Sequence, residues 1–79
     1  MKRSLAITIE ARAMDEIAVL SERVDTINLL IVYHRQHPVL LKRLIGMRNE
    51  FKTRLERAQA RREAASDYIE QPGAGRPSL

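Results

Sequence analysis

His34 and His37 stand three residues apart, immediately before Pro38, at the spacing of two metal ligands on one helical turn. A bound metal would need further ligands. The 79-residue chain contains no cysteine, and no aspartate or glutamate lies within eight residues of the pair. The two histidines therefore read as structural or solvent-facing, and no metal site is expected. The acids Asp15, Glu16, Glu22 and Asp25 alternate with Arg12 and Arg23 at helical spacings, the pattern of a solvated face with i, i+4 support. Ser21, Ser66 and Ser78 lack the companions that activate a nucleophile, and Gly73 and Gly75 precede no helix that could cradle a phosphate. No catalytic or cofactor-binding constellation results. The reading is of a non-enzyme with no cofactor and no small-molecule substrate.

Arginine carries more information. Residues 1–38 hold five basic and five acidic side chains, whereas residues 39–62 hold eight basic side chains against Glu50 and Glu56. Six of those eight are arginine, whose planar guanidinium suits bidentate contact with carboxylate or phosphate. On a helical wheel Arg43, Arg54, Arg57 and Arg61 gather on one flank of an apolar stripe, with Arg48 and Lys52 on the other. Two readings stay open: these side chains line a helix seam with their aliphatic stems, or they meet an acidic protein surface or nucleic acid. Base stacking on aromatic platforms is not expected, because Tyr33, Phe51 and Tyr68 are the only rings and Phe51 belongs to the apolar stripe.

The elements that must position these groups follow from periodicity. Ile17, Leu20, Val24, Ile27 and Ile31 recur at spacings of three and four, which places them on one face of a helix in the register of a coiled-coil seam. No Gly or Pro interrupts 11–37, so one helix is expected there. Asp25-Thr26 offers an N-cap that would divide it into two helices, although a capping-box partner is missing. Pro38 cannot continue a helix but suits the first position of a new one. A second helix over 38–70 carries the stripe Leu40, Leu44, Met47, Phe51, Leu55, Ala58, Ala65 and Ile69. Residues 1–10 form an arm in which Ser4–Ile9 alternate apolar and polar, the pattern of a short strand. Residues 71–79, with two prolines and two glycines, read as a disordered tail.

The expected fold is thus all-α: a domain over 11–70 built as a helical hairpin of two long amphipathic helices, with a possible strand at 4–9. Such a chain is too small to bury a sizeable core by itself. In Leu29-Leu30-Ile31-Val32-Tyr33, five successive apolar side chains point around the whole helix, more than one neighbouring helix can cover. A homodimer closing into a four-helix or coiled-coil-like bundle is therefore expected, with Ile27, Leu30, Ile31, Tyr33, Leu44 and Phe51 at the interface. No apolar run is long enough for a membrane span, so no membrane partner is expected and a cytoplasmic location is.

The functional expectation is a small interaction protein that regulates or inhibits a macromolecular partner. An alternative starts from the order of elements. If 4–9 is a strand and the first helix breaks at Asp25-Thr26, the sequence strand, helix, helix in the first half of the chain resembles the ribbon-helix-helix repressors. The resemblance implies DNA binding through a paired strand in the major groove, with Ser4, Ala6 and Thr8 facing the bases. A glycine-containing turn between the helices, usual in that family, is missing here, and the basic helix after Pro38 has no place in the minimal fold.

Overall fold

The computed structural model describes residues 2–70, and the predicted tail at 71–79 lies outside them. Two helices make up the described chain: α1, Arg3–Tyr33, and α2, Pro38–Glu70. They pack antiparallel into a rod of 62 × 15 × 15 Å. The hairpin expected from the sequence is present, with one correction at each end of its first helix.

Residues 4–9 are not a strand; they are the first turns of α1. The physical reason is the position of Ala6, which is fully buried and lies seven residues before the buried Ala13. A strand here would have no partner among the described residues, whereas a helix continues the packing face of everything that follows. The Thr8 hydroxyl donates to the Ser4 carbonyl, so its polar group is satisfied inside the helix. α1 runs undivided through Asp25-Thr26, as expected for a single helix. Thr26 donates back to the Glu22 carbonyl at 3.0 Å instead of capping a new helix.

The turn falls where Pro38 requires it. Proline has no N–H to donate to the carbonyl four residues before it, at His34, and its ring clashes there, and α1 ends at Tyr33, four residues short of the predicted 37. The His37 N–H donates to the His34 carbonyl at 3.0 Å, which closes a four-residue turn. His37 then accepts from the Leu41 N–H at 2.8 Å, with Pro38 in the first helical position.

Between the helices the seam is thin. Ala6, Ala13, Leu20 and Ile27 follow one another at seven-residue intervals on α1, with Val24 beside them. Leu44, Ala58 and Ala65 fall on the corresponding line of α2, which the half-buried Phe51 completes. Aliphatic side chains fill the turn end and alanines fill the open end. Alanine lets the backbones approach closely but contributes little burial, so the open end depends on contact distance more than on buried area.

Gly46 tests how α2 uses its outer surface. A Cβ built there meets nothing within 4 Å. No close approach requires the glycine, which therefore costs helix stability without a packing return. Gly46→Ala is expected to raise stability by about 0.4–1 kcal/mol, read as a higher denaturant midpoint at unchanged slope. A destabilised variant would show that another chain packs against this position.

Candidate functional site

The fold collects arginines from both helices on one face. Arg23 of α1 and Arg54 of α2 each place the guanidinium carbon 5.7 Å from the centre of the Phe51 ring. At such half-solvated positions a cation–π contact contributes about 0.5–1 kcal/mol. Arg54 also donates to Glu50 at 2.9 Å. Arg61 donates across the hairpin to Glu16 at 2.5 Å. These exposed pairs orient the guanidinium groups more than they stabilise the fold, since such bridges contribute about 0.2–1 kcal/mol.

Of the six predicted partner-binding residues, Arg43, Lys52 and Arg57 are exposed and carry no ion pair among the described residues. Arg48 differs. It is half-buried, and its Nε is enclosed without a hydrogen-bond partner. Its position continues the inter-helix seam four residues after Leu44, so its stem serves as packing. Arg23 was not among the predicted residues. Its own helix is net acidic, with three arginines against five acids, and only the antiparallel packing sets it beside Phe51 and Arg54.

The predicted oligomer-interface residues separate into two groups. Ile27 and Leu44 are buried between the two helices of one chain, Ile31 and Phe51 are half-buried, and Leu30 and Tyr33 are exposed. Beside them runs an open groove of about 430 Å³, lined by Val19, Glu22, Arg23, Thr26, Met47 and Phe51. At the turn end Leu29, Val32, Tyr33, Val39 and Leu40 are all exposed, Tyr33 and Val39 each to 73%.

Charge is also segregated along the rod. Residues 26–49, which form its turn end, contain Arg35, Lys42, Arg43 and Arg48 and no acid. The other described residues contain nine basic and ten acidic side chains. The apolar tip is thus also the cationic one.

The His34 and His37 rings stand 5.9 Å apart and tilted, at the turn. No group of three His, Cys, Asp or Glu that could hold a metal ion occurs among the described residues. No described helix is long and apolar enough to cross a membrane. Comparison with known proteins adds no relative: no family model, curated protein or solved structure matches this chain.

Proposed function

We propose that the chain is a non-enzymatic interaction protein, a helical hairpin that pairs with a second copy into a four-helix bundle and docks on an acidic protein surface, regulating it. One observation carries the pairing. Eight apolar side chains are buried among the described residues, four of them alanine, while eleven large apolar ones are exposed. Burial on that scale leaves much apolar surface uncovered, above all at the turn end, where Leu29, Val32, Tyr33, Val39 and Leu40 gather, and such surface marks a protein contact. A second hairpin supplies the missing layer at the least structural cost, because the helices and their heptad spacing already exist.

The docking half of the reading rests on Arg43, Lys52, Arg54 and Arg57. Arg54 and Arg61 already hold carboxylates, which is the group an acidic protein offers. Nucleic acid fits less well: Glu50 and Glu56 interrupt the basic run, and Phe51 is occupied by guanidinium groups instead of being open to a base. The ribbon-helix-helix alternative loses its reading element, since Ser4, Ala6 and Thr8 lie on a helix and Ala6 is buried.

Light scattering on a dilution series tests the pairing, with a dimer expected at micromolar concentration and a helical signal that falls as the dimer dissociates. A fully helical monomer at that concentration would sink it. Titration with polyglutamate and with duplex DNA at low and moderate salt tests the docking. Polyglutamate should bind and weaken on Arg57→Ala, and tight salt-tolerant DNA binding would point the arginines at nucleic acid instead.

A further inference from the structure

Beside the seam that joins the two helices of one chain, α1 carries a second line of residues at alternating spacings of four and three. It begins at Leu5 and Ile9, passes Arg12, Glu16, Val19 and Arg23, and continues through Thr26 and Leu30 to Tyr33. That is the periodicity of a coiled-coil seam sustained over the whole helix. Within one chain four of its apolar positions are left open, Leu5 at 52% exposure, Val19 at 50%, Leu30 at 38% and Tyr33 at 73%, while Ile9 is half-buried and Glu16 and Arg23 touch Arg61 and Phe51 of α2. Val19, Arg23 and Thr26 form one wall of the open groove, which fixes the line on the arginine-bearing face of the hairpin.

Read inward from its two ends, the line is self-complementary. Leu5 answers Tyr33, Ile9 answers Leu30, the polar Arg12 answers the polar Thr26, and Glu16 answers Arg23 with the opposite charge. Val19 stands alone at the centre. A two-fold interface requires this relation, because residue i of one copy meets residue j of the other and j meets i. We infer that two copies pair through antiparallel α1 helices with Val19 on the two-fold axis, Glu16 facing the partner's Arg23, and the aliphatic ends covering one another. This inference rests on the pairing proposed above and adds its surface and direction.

The charges favour this direction over the parallel one. A parallel pair would set Arg12, Glu16 and Arg23 each against its own copy, and would lay one cationic turn end on the other. In the antiparallel pair each acid-free turn end lies along the part of the partner that carries the acids. Glu16 can serve two guanidinium groups: Arg61 of its own chain binds Oε2, and the side chain is still 45% exposed. Arg43 and Arg57, on α2, stay at the margin of such a pair, where an acidic partner can reach them.

The absence of cysteine makes the direction measurable. Val19→Cys should cross-link to itself as a dimer under mild oxidation. Leu5→Cys and Tyr33→Cys should each stay uncross-linked alone and form a dimer when mixed, with circular dichroism confirming that each variant is folded. Self-cross-linking of the two end variants, or none by Val19→Cys while light scattering still reports a dimer, would overturn the antiparallel seam and leave the pairing itself standing. A monomer by light scattering would overturn both. A charge exchange gives a second readout: Arg23→Glu should weaken the dimer about tenfold, and adding Glu16→Arg should restore it. Failure of the double variant to recover, with both variants folded, would remove the Glu16–Arg23 contact and the register built on it.

Discussion

Replacing Ile27 by alanine is expected to destabilise the protein by about 2–5 kcal/mol, a large share of the 5–15 kcal/mol that holds a typical domain folded. Ile27 is 5% exposed and lies at the turn end of the inter-helix seam, the half of the rod that buries aliphatic side chains larger than alanine. Truncation removes transfer free energy and leaves a void that two helices joined by a four-residue turn can close only in part. Leu44→Ala, on the other helix at 6% exposure, should act similarly, and the double variant should be unfolded at 25 °C. Leu29→Ala is the control. Its side chain is exposed, so its effect within one chain should stay near the ±0.5 kcal/mol of an ordinary surface change. Denaturant melts followed by helical circular dichroism, at one fixed protein concentration, would check all four. Equal losses for Ile27→Ala and Leu29→Ala would mean that the hairpin seam is not what holds the helices together.

Much of this architecture was legible in the residues, because long periodic segments leave few alternatives. Ile17, Leu20, Val24, Ile27 and Ile31 do face α2, buried or half-buried, and Pro38 does open the second helix. The N-terminal arm departs from its strand-like pattern for a specific reason. In residues 4–9 Leu5, Ile7 and Ile9 alternate as a strand would, yet the residue that sets the structure is Ala6. Alanine is weak evidence in a pattern search, and here four alanines, 6, 13, 58 and 65, mark the seam at seven-residue intervals on each helix. The site divides in the same way. Arg43, Arg54, Arg57 and Arg61 could be grouped by helical geometry because they share a helix. Arg23 could not, because its approach to Phe51 depends on how far one helix slides along the other, which no local spacing encodes. Ile27 and Leu44, expected at an oligomer interface, are buried against the other helix of the same chain, a pairing that apolar periodicity alone does not distinguish from contact with a second copy.

Those alanines set up the second large effect. Ala58 is fully buried in the half of α2 toward the open end, and Ala65 follows it at 2% exposure. Across the seam the buried residues of α1's first half are Ala6 and Ala13, so small side chains occupy both sides. Helices packed through alanine sit closer than helices packed through leucine, and no empty volume remains into which a larger side chain can turn. Ala58→Leu must therefore push the open ends apart, at a cost of about 1–3 kcal/mol, although leucine is an excellent helix former and adds apolar surface. The effect should be local. Hydrogen exchange should quicken in Arg3–Ala13 and Ala58–Glu70 while amides around Ile27 and Leu44 keep their protection. The same substitution at Ala60, exposed on α2, should leave both stability and exchange nearly unchanged. If Ala58→Leu instead stabilised the protein, the open end would have room that close Ala packing denies, and the helices there would be held by something other than each other. A paired α1 seam makes a further distinction: splaying the open ends moves Leu5 and Ile9 away from the partner's Tyr33 and Leu30, so Ala58→Leu should weaken the dimer as well as the hairpin. Ala60→Leu should do neither.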